Sequence, residues 1–466
     1  MRTDCCNRGF FQRYIGVRKK RKGVLGSHEL LLKKYGQKNR IVTLFYSGIP
    51  ECHQKMSTDP HENDYPKLRS LEAVPAQNDL ICIRDPEGIS EKRAFLPREL
   101  IFIVSLFDGN HSILDIQTAF TRKYGELLYS SKVREIIETL DKCLFLENER
   151  FRREKKKIED AFRRAGVREA SHAGISYEND RGALQKQLEG VFEPPEGPGF
   201  PAQDEHCGKI RGVIAPHIDI RRGGPCFAWS YAELMKGNSA TTFVILGISH
   251  VQTKHCFVLT DKDFSTPLGK VSADKDFIHS VSERCTTDFF EDELVHRREH
   301  SVEFQALFLR FLFPKHEGIR MVPILCSFNE EIYAQTPQEN PEFVEFISAL
   351  KETLDQRGEQ ALCIASVDLS HLGRLFGQDL TISPDLLGWA KEQDMNMIQY
   401  ILDRDAENFF SLIKQENDRR NVCGVPAIYS LLKLIEAQSG RLLKYDQSVD
   451  SAHQSLVTFM SAAFYR

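Results

Sequence analysis

The chain has 466 residues, of which 41% are hydrophobic and 27% are charged, and its formal net charge at pH 7 is -4. At about 100–200 residues per domain, this length predicts two or three folded units. The charge balance lacks the basic excess of nucleic-acid-binding proteins. The sequence also contains no run of about 18 apolar residues, which is the length that a membrane-spanning helix needs. The 12 scattered cysteines form no CxxC pair, which without a secretion signal predicts reduced thiols in a cytoplasmic protein.

Residues 1–79 are predicted to be a leader that is disordered, or one that is included only because the start of the gene was assigned too far upstream. They contain a basic run over residues 18–22, and the apolar stretch after it is shorter than the roughly 7–15 residues of a signal-peptide core. The run could alternatively be a nuclear-type or anionic-surface basic patch. Met56 opens a polar stretch that would make a natural beginning.

Residues 80–149 are predicted to form a small, mainly helical module. A short apolar strand over 80–83 precedes three helical patterns, which begin at Pro97, after the N-cap residue Ser112 and near Ser131. A second strand is predicted over 144–146. Three short helices with small strands describe a winged-helix-like fold, and their order resembles the PqqD-like domains that present peptides to radical-SAM modification systems.

Two other interpretations of this module stay open. It could be a helical domain with a purely structural role, or a DNA-binding winged helix. The DNA-binding interpretation is disfavoured because the would-be recognition helix, residues 131–143, mixes acidic with basic side chains and has no basic face. The charged stretch 150–167 that follows has only a thin apolar stripe, which predicts an exposed connecting helix.

From residue 168 onward, strand and helix patterns alternate, which predicts an α/β fold with a largely parallel sheet and helices on both faces. Strands are predicted over 212–215, 243–246, 321–325 and 362–366. Ligands of such sheets bind beyond the carboxyl ends of the strands. The residues that follow three of these ends are His217, His250, Asp368 and His371, and we expect them to share one crevice, although each histidine alone could be structural.

Cys423 directly precedes a predicted apolar helix over 427–435. A cysteine at a helix start is expected to have a lowered pKa, because the helix dipole favours the thiolate that binds metal. By itself this cysteine would more simply be a packing residue. Two histidines and a cysteine suit zinc, copper or iron, and they argue against magnesium and calcium, which prefer oxygen ligands.

The motifs of this region occur in the order of the Memo family, which the chain resembles over nearly 300 residues. They are REASHAG (168–174), APH (215–217), LGISH (246–250), TPLG (266–269), EHSVE (299–303), DLSH (368–371) and CG (423–424). Bacterial and archaeal members carry the label AmmeMemoRadiSam system protein B. The resemblance therefore implies radical-SAM and AMMECR-type partner proteins. The charge balance and the lack of a long apolar run predict that the chain has no nucleic-acid or membrane partners.

The fold of this family is similar to that of the class III extradiol dioxygenases, which hold non-heme iron with two histidines and a carboxylate. The resemblance implies that His217, His250 and Cys423 are metal ligands and that Asp368 and His371 line the same pocket. Cys423 stands where the dioxygenases have a carboxylate, which puts ring cleavage in doubt. This chain also departs from its relatives after His217, where residues 218–222 add a carboxylate and two cations to the pocket mouth.

The favoured hypothesis is a metal-dependent redox protein with iron or copper, in which Asp368 and His371 move protons. A histidine with an ordinary pKa near 6.5 suits that role. Zinc is a third possible metal for such a site. A further alternative is that the site holds zinc for a purely structural purpose. The same crevice could instead capture a peptide without turnover, or Asp368 could replace Cys423 as the third ligand. Glu299 and His300 are either a clamp or relay in the pocket or a helix cap, and His172 is expected to be structural.

Overall fold

The computed structural model describes residues 64–76, 80–201, 209–236, 239–314 and 318–466. The basic run at 18–22 and Met56 lie outside the described residues. The chain divides into two compact units, Met1–Asp160 and Ala161–Arg466. Within the described ranges, no helix is both long enough and apolar enough to cross a bilayer.

The N-terminal unit contains a three-stranded antiparallel sheet and helices. Its strands are β1 (Glu72–Pro75), β2 (Leu80–Arg84) and β3 (Arg93–Pro97), in that order across the sheet. Its helices are α1 (Arg98–Val104), α2 (Ile113–Tyr124) and α3 (Ser130–Lys142), and α4 (Glu149–Arg164) extends across the boundary to the second unit. The three helices of the module are thus present close to their predicted positions. The likeness to PqqD domains stays a prediction.

Two details of this unit differ from the sequence-based expectations. Leu68, Leu71 and Ala73, inside the predicted leader 1–79, are buried in the core of the unit, and β1 pairs with β2. The folded part therefore begins before residue 80, because β1 is needed to cover that core. Residues 144–146 form no strand: Leu144 has a left-handed backbone with φ of 59°, and Leu146 makes a single bridge to Leu68.

Ser112 is the N-cap of α2, as predicted. Its hydroxyl oxygen accepts a hydrogen bond from the Asp115 backbone N–H, and the Asp115 carboxylate accepts the Ser112 backbone N–H in return. This reciprocal arrangement satisfies two backbone donors that a helix start otherwise leaves without partners. The local signal in the sequence was sufficient here because the whole motif spans four residues.

The second unit is a mixed α/β structure. Eleven strands in the described ranges form its sheet: β4 (Val167–Arg168), β5 (Ile210–Ala215), β6 (Thr242–Ile248), β7 (Phe257–Leu259), β8 (Asp263–Thr266), β9 (Gly269–Ala273), β10 (Arg320–Cys326), β11 (Ala361–Ser366), β12 (His371–Gly373), β13 (Ser439–Asp450) and β14 (Ser455–Tyr465). The strand order is β12-β14-β5-β11-β6-β10-β9-β8-β4, with β13 also paired to β14 and β7 to β10.

Helices connect these strands. They are α5 (Arg181–Gly190), α6 (Ile220–Met235), α7 (Lys275–Ser282), α8 (His300–Leu312), α9 (Glu330–Ala334), α10 (Pro341–Arg357), α11 (Pro384–Leu402), α12 (Ala406–Gln415) and α13 (Val425–Leu434). Short 3-10 turns lie at Glu293–Arg297, Pro337–Glu339, Gly358–Gln360 and Arg374–Phe376. All four strands predicted after residue 168 are present, as β5, β6, β10 and β11.

Helices cover both faces of the sheet, as predicted. Successive residues of a strand point to opposite faces, so alternate residues of β6 enter different cores. Phe243 and Ile245 join the core that contains α6 and α8. Val244 and Leu246 join the core that contains α10 and α13. Because both faces of β6 are covered, the strand is apolar along its length, which is what made it recognisable.

The central strands bring three loops to one edge of the sheet. Strands β5, β11 and β6 are adjacent and parallel, and Ala365 of β11 pairs with Ile214 of β5 and Leu246 of β6. Their carboxyl ends therefore lie side by side. The loops that leave these ends begin the candidate site.

Candidate metal centre

His217, His250 and Cys423 are brought together at this edge. His217 lies two residues beyond the end of β5, and His250 lies two residues beyond the end of β6. Cys423 arrives from a different direction, in the loop before α13. One potential ligand atom from each of the three lies within 4.8 Å of the other two, and His217 Nε2 is 3.4 Å from Cys423 Sγ.

Hydrogen bonds fix which nitrogen each histidine presents. His217 Nδ1 is 2.9 Å from the Ser366 carbonyl oxygen, and His250 Nδ1 is 3.0 Å from both carboxylate oxygens of Glu299. These oxygens only accept, so both Nδ1 atoms carry a hydrogen and donate it. The Nε2 atoms are left to face the site. An acceptor behind a histidine in this way is typical of metal-ligating histidines.

Glu299 has several functions that the sequence left as alternatives. Its carboxylate caps α8 by accepting the backbone N–H groups of His300 and Ser301. The same carboxylate also accepts the Nδ1–H of His250 and lies 3.1 Å from Nδ1 of His300. It is therefore both the helix cap and the residue that orients His250. Burial opposes its charge, but the two imidazoles hold the pKa of Glu299 well below its ordinary value.

The two histidines of the set differ electrostatically. Burial, together with the nearby His250 and His300, lowers the pKa of His217 well below its ordinary value, so His217 is neutral and its Nε2 lone pair accepts from the Cys423 thiol 3.4 Å away. Burial alone would lower the pKa of His250, but the Glu299 carboxylate raises it above its ordinary value. A metal ion at His250 Nε2 has to compete with a proton.

The expectation of a lowered cysteine pKa is wrong. Burial, and next the charge of Asp368, raise the pKa of the Cys423 thiol well above its ordinary value. The reason is positional: Gly424 is the N-cap of α13 and the helix begins at Val425, so Cys423 lies outside the helix, in a half-buried position. Its thiolate needs a compensating cation, and a bound metal ion would supply one.

Asp368 lies beside this set. Its Oδ1 accepts the backbone N–H groups of His217 and Ile218, both at 3.1 Å, and its Oδ2 is 3.7 Å from His217 Nε2. Burial raises the pKa of Asp368 to about 7, against the opposing effect of those two hydrogen bonds. This carboxyl group therefore exchanges its proton near neutral pH.

His371 is close enough to His250 for the two rings to interact electrostatically, but its state differs from the one expected. Burial lowers its pKa to about 4, instead of leaving it near 6.5. Its Nδ1 lies 3.0 Å from the Leu369 carbonyl oxygen and donates to it, which leaves Nε2 as an acceptor. His371 is consequently neutral and able to accept a proton over the whole neutral range.

His300 and His172 lie next to the His–His–Cys set. The His300 ring stacks on the His250 ring at 4.6 Å between centroids, and the His172 ring lies 5.4 Å from that of His300. His172 Nε2 is 2.9 Å from the Arg298 carbonyl oxygen. His172 is thus linked to the site through His300.

Two buried ion pairs behind the site were missed by the sequence reasoning. Arg168 pairs with Glu303 on α8, and Arg420 pairs with Asp394 on α11 at 2.5 Å, and all four side chains are fully buried. Arg168 opens the first of the motifs and Glu303 closes the EHSVE motif, but nothing in one sequence pairs residues 135 positions apart. Residue type alone predicts such arginines to be exposed.

Fold and site together define a mixed α/β protein with a candidate His–His–Cys metal centre at the carboxyl ends of its parallel strands. Comparison with known proteins gives the family. Residues 168–463 match the family model of the Memo-like proteins. The chain therefore belongs to the Memo family.

Similar proteins of the same family support this assignment. A MEMO1 family protein of Aquifex aeolicus is 29% identical over 403 residues, which cover 86% of this chain and all of that protein. A MEMO1 family protein of Caldivirga maquilingensis is 29% identical over 307 residues, 64% of this chain and 99% of its own length. A third, MK0963 of Methanopyrus kandleri, is 29% identical over 301 residues, 63% of this chain and 97% of its own length.

Proposed function

We propose that the Memo domain binds one transition-metal ion, iron or copper, through His217 Nε2, His250 Nε2 and Cys423 Sγ, and that it is a redox protein. The convergence of these three atoms within 4.8 Å carries the proposal. Imidazole nitrogen with thiolate sulfur suits copper, iron and zinc. Three protein ligands beside a crevice leave a coordination position for water or substrate, which favours a reactive site over a structural zinc site.

The contacts that surround the three proposed ligands also suit metal binding. Ser366 and Glu299 orient the two imidazoles from behind. The half-buried Cys423 thiol has a raised pKa, so a neighbouring cation would stabilise its thiolate. When bound, iron or copper supplies a redox couple and a Lewis-acidic position in the crevice.

Asp368 and His371 are proposed to move protons for a substrate bound there. Asp368, with a pKa of about 7, is protonated in part at neutral pH and donates from its carboxyl group. His371, with a pKa of about 4, is neutral and accepts at Nε2. Two groups whose environments separate their pKa values in this way suit a general acid and a general base. A place in an AmmeMemoRadiSam system, with radical-SAM and AMMECR-type partners, stays a prediction.

Anaerobic titration of iron(II) or copper(I) into five single variants tests this ligand set. We expect His217→Ala, His250→Ala and Cys423→Ser to lose metal affinity by at least the roughly 10–100-fold that loss of a supporting contact costs. Asp368→Ala and His371→Ala should retain most of the affinity while losing redox turnover. If Asp368→Ala loses the metal and Cys423→Ser keeps it, the site is dioxygenase-like and this ligand set is wrong.

A further inference from the structure

Two consecutive arginines at the start of α6 have different surroundings. The Arg221 guanidinium donates to the Ile175 carbonyl oxygen and lies 3.4 Å from the Glu178 carboxylate. Arg222 donates from Nε to the Ser448 hydroxyl at 2.8 Å and from Nη2 to the Ser448 carbonyl oxygen at 3.4 Å. Across the described residues, no carboxylate lies within ion-pair distance of Arg222. Arg221 is therefore neutralised by this chain, whereas the charge of Arg222 is not.

The sheet register places Arg222 on the same side as His371. Val457 of β14 pairs with His371 on one side and with Ser448 of β13 on the other. Paired residues of neighbouring strands project to the same face of a sheet. With strands about 4.8 Å apart, His371 and Ser448 are separated by roughly 10 Å across β14. Ser448 thus holds the Arg222 guanidinium on the same face of the sheet as His371, the proposed base, and at the same position along the strands.

Electrostatics agree with this placement. Burial is the main influence on the pKa values of Asp368 and His371, and Arg222 is among the charges that lower both. The Arg222 side chain is exposed, so it can meet a ligand directly. A positive, exposed group therefore stands within electrostatic reach of the two residues proposed to move protons.

We propose that Arg222, held by Ser448, is a subsite for an anionic group, a carboxylate or a phosphate, on the ligand that reaches the metal centre. This inference rests on the proposed function, since the metal centre defines the other end of the ligand. Guanidinium binds such planar or tetrahedral anions through two parallel N–H donors. Ser448 engages Nε–H and one Nη2–H, so the parallel pair left for an anion is one Nη1–H and the second Nη2–H, for which the described residues show no acceptor.

The test measures anion binding to the full chain without metal, so that it does not depend on metal binding. Benzoate and phenyl phosphate are titrated at matched ionic strength, and ligand-induced stabilisation against heat is recorded, because a ligand that binds the native state raises the melting temperature. Three proteins are compared: wild type, Arg222→Gln, and Arg221→Gln as the matched control. The two probes separate a carboxylate site from a phosphate site.

We expect at least one probe to stabilise wild type and Arg221→Gln alike. Arg222→Gln should bind that probe about 10-fold or more weakly, since hydrogen bonds to charged groups are lost. Its iron(II) affinity should equal that of wild type, which separates this subsite from the metal centre. Equal stabilisation of all three proteins, a larger loss in Arg221→Gln, or no stabilisation of wild type by either probe would overturn the proposal.

Discussion

At the scale of single residues, the most consequential contact is that of Glu299 with His250. One carboxylate accepts the His250 Nδ1–H and also caps α8. One carboxylate can accept these hydrogen bonds together, because it has about four lone-pair directions. The orientation of a proposed metal ligand is thereby linked to the start of a buried helix.

We predict that Glu299→Gln lowers metal affinity by roughly 10–100-fold, the usual effect of losing an orienting partner. The amide oxygen of glutamine still accepts from the start of α8, so the helix should persist. Its neutral oxygen orients His250 more weakly than a carboxylate does. Metal titration with circular dichroism as a folding check measures the effect, with the exposed Glu178→Gln as control. An affinity equal to that of wild type would remove Glu299 from the support of the site.

His296 gives a pH dependence that can be assigned to one residue. It is 1% exposed, its Nε2 lies 3.0 Å from the Val258 carbonyl oxygen, and its Nδ1 has no partner that the described residues supply. Burial lowers its pKa from 6.5 to about 3. Between these values the unfolded chain binds a proton that the folded chain does not, so stability is present above pH 6.5 and is lost as pH falls.

We predict that His296→Gln loses less stability than wild type between pH 6.5 and pH 4. The difference in slope should approach about 1.4 kcal/mol per pH unit toward the acidic end. Glutamine can still donate to the Val258 carbonyl oxygen, so the native contact is kept. Urea unfolding at a series of pH values measures this, and parallel curves for the two proteins would contradict it.

At the scale of elements, the loop between α12 and α13 delivers Cys423 to the site. It contains Asn417, Asp418 and Asn421 in left-handed conformations, with φ of 51°, 44° and 49°. Asparagine and aspartate tolerate this region better than other non-glycine residues. Arg420, in the same loop, is fully buried and pairs with Asp394 of α11.

The Arg420 loop is also attached to the segment that carries His371. The His371 backbone N–H donates to the Arg420 carbonyl oxygen at 2.7 Å, and the Asn421 amide donates to the His371 carbonyl oxygen at 3.0 Å. Asp394 also accepts the Ser370 hydroxyl at 2.7 Å. One buried ion pair thus holds together the segments of a proposed ligand and a proposed base.

We predict that Arg420→Met destabilises the protein by about 3–5 kcal/mol, because it leaves the Asp394 carboxylate buried without its partner. Arg419→Met is the matched control, since the neighbouring Arg419 is exposed and makes a cation–π contact with Trp389. Exposed contacts of this kind contribute about 0.5–1 kcal/mol. Chemical unfolding compares the two variants, and equal losses would show that the buried pair has no special role.

At the scale of the whole molecule, the division into two units has a functional consequence. The Memo-like match spans residues 168–463, whereas the folded part of the N-terminal unit begins before residue 80. The Caldivirga relative aligns over 99% of its length with only 64% of this chain. The Caldivirga relative is therefore a Memo domain that occurs naturally without an additional unit as long as the N-terminal unit of this chain.

We predict that residues 149–466, expressed alone with α4 complete, fold cooperatively and bind metal with the affinity of the full chain. The fragment contains both cores of the second unit and every proposed ligand. Calorimetric melting and metal titration of fragment and full chain provide the comparison. Loss of the cooperative transition, or a 10-fold weaker metal site, would mean that the N-terminal unit stabilises the Memo domain.

The sequence by itself determined the features that depend on local patterns. It predicted the central strands β5, β6, β10 and β11 because strands covered on both faces are continuously apolar. It predicted the cap at Ser112 because that motif is four residues long. It also placed His217, His250 and Asp368 at one edge, since residues beyond the carboxyl ends of parallel strands share that edge.

Only the tertiary structure decided the features that depend on burial and on distant partners. The raised pKa of Cys423 and the lowered pKa of His371 follow from desolvation in a pocket, which no local spacing reveals. The Arg168–Glu303 and Arg420–Asp394 pairs join residues far apart in the chain. Likewise, Arg221 and Arg222 are equivalent in sequence, and they differ because three-dimensional packing provides a carboxylate for only the first.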